Sequence, residues 1–467
     1  MKPIDLNNLF PKRKINFKQD ELFDIAVIGG GVVGCATFRE FCINGAKTVL
    51  IEKENDILEG ASKGNSALLH TGFDAPVGTL EHQCIQRGYN EFLKIKDKLN
   101  LPISKTSALV VAWNEEQLGK FDAILKKGFS NGVNDLELID KNTLLKKEPN
   151  LSKDAKGAIW VKGESVIDPW STPLAYIKEG VLHGGKLAFS CKVNSGNFDG
   201  THWILKTSRR DIKTKIVINV AGLYSDEVEN IHKKDSFKII PRKGQFLVYD
   251  KSAFDLINAI ILPVPTKRTK GVVITKTAFG NILVGPTAED QESKTDSSTV
   301  EKTLKDLRQK AIKMVPNLKY HDITATFAGL RPASDKTYYR VSIDKKNNWI
   351  TLGGIRSTGL TASLGLAKYI FEQLGEKYEK KHNIDKTVSV PNISQFAKRD
   401  FEKKGYKKII CHCELVTDRE IKNALKGVCG AGTLGGLKRR TRAAMGRCQG
   451  FNCLANIAEL CEKESQI

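Results

Sequence analysis

The chain has 467 residues, room for two or three domains, and its 40% hydrophobic and 27% charged residues exclude a disordered polymer. No run reaches the ~18 apolar residues of a bilayer span, and the start lacks the apolar stretch of a secretory signal. Lys and Arg number 74 against 53 Asp and Glu, a formal charge of +21 that favours anionic substrates; the lysines are dispersed and no recognition motif accompanies them, so nucleic acid is not an expected partner.

A cytoplasmic setting is expected. The charge leaves peripheral contact with an anionic membrane open, and Lys12, Arg13 and Lys14 leave a mitochondrial presequence open. Of ten cysteines, four form two close pairs near the C-terminus and six are scattered, which is not a disulfide framework.

Residues 1–22 read as an extension. The apolar run Phe23–Ile28 then predicts a strand, Gly29–Gly31 a turn, and Cys35, Ala36, Phe38, Phe41 and Cys42 a helix, before a second strand Thr48–Ile51 ends at Glu52. This is a βαβ unit. Gly29, Gly31 and Gly34 stand in G-x-G-x-x-G spacing between strand and helix: the first permits the tight turn, the second lets backbone approach a pyrophosphate, and the third lets helix and strand pack. Glu52 is placed to accept hydrogen bonds from ribose hydroxyls. Further strands are expected at Ala108–Ala112, Ile216–Val220, Phe246–Tyr249, Gly271–Thr275 and Asn281–Val284, and a helix through Ala362, Leu366, Ile370 and Leu374. The fold class is α/β, with a Rossmann-like domain interleaved with a mixed-sheet substrate domain over 23–385, a charged linker at 386–405 and a small cysteine-bearing module at 406–467. A second G-x-G-x-x-G, Gly430 to Gly435, has no strand before it and is not expected to bind a nucleotide.

These residues alone leave NAD and FAD open. The series Gly29–Gly34, Glu52, Ser62–Gly72 (Ser-Lys-Gly-Asn-Ser-Ala-Leu-Leu-His-Thr-Gly), Ile218–Gly222 and Gly353–Thr361 resembles the D-amino-acid-oxidase-like FAD superfamily. It is most similar to the glycerol-3-phosphate dehydrogenase/oxidase and L-2-hydroxyglutarate oxidase branch, over about Phe23 to Leu374. The resemblance implies extended FAD, with Ser62, Asn65 and Ser66 in the segment beside the flavin, Ala221 and Gly222 at a later contact, and Gly354, Thr358, Gly359 and Leu360 in a loop pointing at the ring. It also implies that His70 is the base for a substrate hydroxyl, a role suited to imidazole, and that Arg331 holds the substrate's anionic group, for which a guanidinium gives a bidentate contact. Lys267 or Lys270 would line the pocket, the choice between them staying open. Phe279 stands where many relatives carry histidine.

Cys411 and Cys413, with Cys448 and Cys453, form C-x-C and C-x-x-x-x-C pairs, and four thiolates can hold a [2Fe–2S] cluster. Zinc is the alternative, though it usually takes C-x-x-C pairs. The segment resembles the bacterioferritin-associated-ferredoxin-like [2Fe–2S] domain, its Arg439, Arg440, Arg442 and Arg447 offsetting cluster charge. The expected activity is FAD-dependent oxidation of a small anionic alcohol, sn-glycerol 3-phosphate first and L-2-hydroxyglutarate or another 2-hydroxy acid second. Electrons would leave to an acceptor protein or a quinone. A non-catalytic flavin and iron–sulfur electron-transfer subunit is the reading from another class.

Overall fold

The computed structural model describes residues 9–265, 271–375, 378 and 387–465. Strand β1 (Leu22–Ile28) is apolar almost throughout because it lies inside a parallel sheet and is covered on both faces. It is followed by helix α1 (Val32–Ile43) and strand β2 (Thr48–Ile51). β1 pairs in parallel with β2 on one side and with the strand Ile212–Asn219 on the other, which pairs in turn with Trp349–Gly353. Helix α1 packs against the helices Ser171–Leu182 and Gly359–Leu374, and Phe38, Phe41, Leu50, Ile350 and Leu364 share one core with them.

Between these strands the chain leaves to build a second, mixed sheet and returns, as the interleaving expectation required. Among the described residues that sheet has nine strands, and its longest pair is antiparallel, Ile239–Tyr249 against Ile323–Ser334. The sequence pattern puts Arg331 after a strand. Here the strand continues through it, because Pro332 lies opposite Pro241 and the two residues lacking an N–H share one rung.

A third unit holds a two-stranded sheet, Ile409–Cys411 with Val416–Thr417, and the helices Asp418–Leu425, Leu434–Thr441 and Leu454–Ser465. The first helix starts in a capping box, Thr417 Oγ1 accepting from Glu420 N and Glu420 Oε2 accepting from Thr417 N. Two sequence expectations change here. Residues 387–402, expected as a linker lying outside the main fold, are seated on it: Val390 N donates to Leu99 O (3.3 Å) and Gln395 N to Ala278 O (2.8 Å), with Val390, Ile393 and Ser394 buried. The described part of the extension, from Leu9, is also seated: Leu9 is buried in the module's core, Asn55 Nδ2 donates to Phe10 O (3.3 Å) and Pro11 O (3.1 Å), and Arg13 donates to Val428 O (3.1 Å). Alternation between polar and apolar residues is too weak in either segment to announce this burial. No helix among the described residues is long and apolar enough to cross a membrane.

Candidate functional site

The loop after β1 takes Gly29 to φ +119°, a conformation closed to ordinary side chains, and a Cβ there would lie 2.6 Å from Val220 O. At Gly34 a Cβ would overlap the Gly29 carbonyl oxygen. Helix α1 therefore starts hard against the sheet. Its N-cap, Gly31, has no side-chain cap, and its first turn contains no acidic residue; Ser62 Oγ accepts from Val32 N at 3.0 Å. Glu52 Oε2 accepts from Gly30 N (2.6 Å) and Oε1 from Glu54 N (2.9 Å), while burial raises the carboxyl to a pKa of about 7. A helix N-terminus clear of acids and a desolvated carboxylate beside it fit a dinucleotide, its pyrophosphate at the helix start and its ribose hydroxyls donating to Glu52.

The other expected cofactor residues gather at the same edge. Asn65 closes the loop, donating to Ser62 O (2.8 Å) and accepting from Ala67 N (2.7 Å); Ser66 lies within that turn. Ala221 and Gly222 follow the strand Ile212–Asn219, and Asn219 ties the turn by accepting from Ala221 N (3.2 Å) and donating to Ser225 O (2.8 Å). Gly354, at φ +66°, leads to the helix Gly359–Leu374, which also begins without a side-chain cap or an acidic residue. Val33 and Val32 lie 3.8 and 4.0 Å from where a Gly359 Cβ would stand, so two helix starts adjoin. Leu360 packs on the main core. Thr358 is occupied otherwise, donating from Oγ1 to Glu81 (2.9 Å).

His70 is tied to this helix through its backbone, its N–H donating to Thr361 Oγ1 (3.0 Å). Its Nδ1 lies 3.1 Å from Glu164 Oε2. Glu164 is fully buried, and its other oxygen accepts from Thr71 N (2.7 Å) and Oγ1 (2.9 Å). A buried carboxylate on Nδ1 selects the tautomer whose Nε2 is the basic nitrogen. Sequence reasoning missed Glu164: a glutamate just ahead of the apolar pair Val166–Ile167 is an anomaly in the pattern, but no spacing ties it to His70.

Arg331 stands on the long strand with Gly329, two residues earlier and so on the same face, resting on the Ser62–Gly64 loop; a Cβ on Gly64 would lie 3.0 Å from Gly329 Cα. Both its Nη atoms donate to Thr287 O at 3.2 Å. Among the described residues it has no carboxylate partner, and burial, then Arg242, lower its pKa to about 10. It stays protonated at neutral pH, a half-buried cation short of an anion. Lys267 and Lys270 lie outside the described residues.

The four cysteines of the module interact in pairs, Cys411 with Cys453 and Cys413 with Cys448. Among the described residues no three ligand side chains gather as around a single ion; four thiols match the ligand count of a [2Fe–2S] cluster. The backbone N–H groups of Asn452, Gly450 and Phe451, with Cys413, draw the Cys448 thiol below its ordinary range. Burial and the Cys411 sulfur push Cys453 up to about 12, a crowding of thiolates that bound metal relieves. The arginines expected around the cluster have other partners: Arg439 pairs with Glu59 (2.5 Å), Arg440 with Asp56 (2.7 Å), Arg442 with Glu414 (3.4 Å) and Arg447 with Asp250 (2.9 Å). Arg442 also lies over the Phe279 ring (4.4 Å), which stacks on Trp170 (5.2 Å), whose Nε1 donates to Lys63 O (3.2 Å).

A dinucleotide loop joined in this way to a second sheet defines a class, the two-sheet flavoprotein oxidoreductases. Residues 24–373 match the family described as FAD dependent oxidoreductase (DAO), and residues 409–463 match the BFD-like [2Fe-2S] binding domain. A glycerol 3-phosphate dehydrogenase of Caloramator mitchellensis is 34% identical over 454 residues, 95% of this chain and 94% of the relative. A glycerol 3-phosphate oxidase of Mycoplasma pneumoniae is 30% identical over 80% of this chain and all of its own length. The dithionite-reduced L-alpha-glycerophosphate oxidase of Mycoplasma pneumoniae with FAD bound superposes with a TM-score of 0.75 at 28% identity, covering 79% of this chain and 99% of its own. The chain belongs to the DAO family: it is a FAD-dependent oxidoreductase with an appended [2Fe–2S]-binding domain.

Proposed function

We propose that the protein oxidises sn-glycerol 3-phosphate to dihydroxyacetone phosphate. The observation that carries this is Arg331, a half-buried guanidinium without a carboxylate partner among the described residues, on the strand face that meets the Ser62–Gly64 loop; a substrate phosphate supplies the missing anion in bidentate form. The similarity to glycerol 3-phosphate dehydrogenases and oxidases supports the same substrate. FAD supplies the hydride acceptor. His70, held through Nδ1 by Glu164, takes the proton of the substrate's secondary hydroxyl on Nε2, and the buried Glu164 stabilises the imidazolium that results. The first turns of α1 and of the helix Gly359–Leu374 present N–H groups and positive dipole ends to the cofactor.

Cys411, Cys413, Cys448 and Cys453 would hold the [2Fe–2S] cluster in this reading, which would supply one-electron transfer toward an acceptor protein or quinone. Trp170, Phe279 and Arg442 support that direction, forming a packed line from the Ser62–Gly64 loop to the module. Phe451, between two of the cysteines, is 91% exposed, an apolar contact suited to a docking acceptor.

The test is anaerobic mixing of the flavin-loaded protein with candidate donors. sn-Glycerol 3-phosphate bleaches the flavin and L-2-hydroxyglutarate does not; bleaching by the hydroxy acid alone reassigns the substrate, and bleaching by neither leaves an electron-transfer subunit. His70→Ala retains FAD but slows bleaching about 100-fold; an unchanged rate removes His70 from the chemistry.

A further inference from the structure

Away from the flavin edge, a cleft of about 600 Å³ opens where three parts of the chain meet: the helix Ser171–Leu182, the segment 389–403 and the module from Glu420 to Arg440. Six cationic side chains border it (Lys178, Lys398, Arg399, Lys403, Lys426 and Arg440) against two carboxylates, Asp400 and Glu420. Both carboxylates are already engaged, Glu420 by Arg399 (3.0 Å) and Asp400 by Arg419 (2.9 Å). Lys426 and Arg440 reach carboxylates outside the cleft, Glu464 (3.6 Å) and Asp56 (2.7 Å). Lys178 and Lys398 have no carboxylate partner among the described residues, and Lys403 acts on Asp400 only through its charge, beside the Arg419 that already pairs with it.

Two orphaned donors add to this surplus. The Nε–H groups of Arg399 and Arg440 are buried without a hydrogen-bond partner among the described residues, and the Arg440 side chain is only 8% exposed. An unpaired buried donor costs about 1–3 kcal/mol, and both arginines stand in the wall of this one cleft. Burial lowers the Lys178 ammonium below its usual range, with Arg440 acting in the same direction against the nearby Cys429. Leu174, Pro391 and Ile393 give the cleft an apolar floor. Its volume falls within the range of small-ligand sites and is too small for a folded partner.

We propose that this cleft is a second ligand site, for a compact anion carrying two or more charges on phosphoryl or carboxyl groups, and that its occupancy fastens the iron–sulfur module to the main body. A single charge would satisfy one ammonium. A multivalent oxyanion reaches the guanidinium edges contributed by the segment and the module together with Lys178 of the main body, and so joins all three. The site is independent of which alcohol the flavin centre oxidises.

Calorimetric titration of the full-length, cofactor-loaded protein with inorganic pyrophosphate and with citrate, at constant ionic strength, tests this. An Arg331→Ala background removes anion binding at the substrate site, and one binding event per chain is expected to remain. Lys178→Met with Lys398→Met weakens that event at least tenfold, about 1.4 kcal/mol, while FAD and iron content hold; Lys178→Arg retains binding. Saturating anion slows protease cleavage between the main body and the module. Binding of pyrophosphate alone assigns the site to phosphoryl groups, and of citrate alone to carboxylates. No binding in the Arg331→Ala protein, or equal binding by the double lysine variant, overturns the proposal.

Discussion

The chain writes G-x-G-x-x-G twice, and one acidic loop serves both copies. At Gly29–Gly34 the spacing sits between a strand and a helix, and Gly30 N donates to Glu52. At Gly430–Gly435 it comes after a helix, and Gly432 N donates to Asp56 Oδ2 at 2.9 Å, four residues beyond Glu52. In the second copy a Cβ on Gly432 would overlap Asn55 O, and one on Gly436, just past it, would overlap the Asp56 carboxylate. Both loops bring bare backbone to an anion at a helix start. The first leaves its helix start to a cofactor; the second gives its own to a carboxylate of the same chain. With the spacing held in common, the element that precedes it and the anion that meets it decide whether such a loop binds a nucleotide or docks a domain.

The largest effect should come from Gly34→Val. Its Cβ would overlap the Gly29 carbonyl and force helix from strand, so the purified protein should carry almost no flavin, read as the ratio of flavin to protein absorbance. Retention of FAD would remove the distinction between the loops.

Asp56→Ala breaks the other half. It strips the buried partner from Arg440 and Arg13, a loss of about 3–5 kcal/mol for a buried pair left one-sided. The module should then undock while FAD remains, seen as faster hydrogen exchange confined to residues 409–463. Burial opposes ionisation of Asp56, yet Arg440 and Arg13 outweigh it and hold the carboxyl below its usual range. A depressed carboxylate stabilises above its unfolded pKa, about 3.9, and loses that contribution as pH falls through the lower folded value. Acid below about pH 4 should therefore loosen the module in the parent protein, and an Asp56→Ala protein should show less change over the same interval.

Gly435→Ala is the smallest change. The added Cβ would press only on the flexible tip of Arg439, at 3.1 Å, with Glu59 and Thr433 in ordinary contact at 3.7 Å, inside a short helix where alanine is favoured over glycine. Stability should move by about 0.5 kcal/mol or less, with flavin content and exchange unaltered. The third glycine is thus indispensable in one copy and replaceable in the other.

The dinucleotide unit was legible because each of its parts is local: the run before Gly29, the three glycines and Glu52 lie within thirty residues, and β2 falls at Thr48–Ile51 as read. The dismissal of the second glycine loop needed only the missing strand. Glu164 and the role of Asp56 were not legible, since a buried carboxylate is recognised by its partner and the partners His70, Gly432 and Arg440 lie far along the chain. The seating of 387–402 escaped for a related reason: a charged segment with a proline reads as solvated until the surface beneath Val390 and Ile393 is known.

Leu9 lies in a core completed by Ile421, Leu437 and Ile457, which places a constraint on the order of assembly during translation. The dinucleotide sheet can close once the strand Trp349–Gly353 has been made, but the residues around Leu9 find their cover only after the module has left the ribosome. Contacts of such sequence separation form late. A stalled or prematurely terminated chain would leave Leu9 uncovered beside an otherwise finished oxidoreductase, a form that quality-control proteases can tell from the complete one.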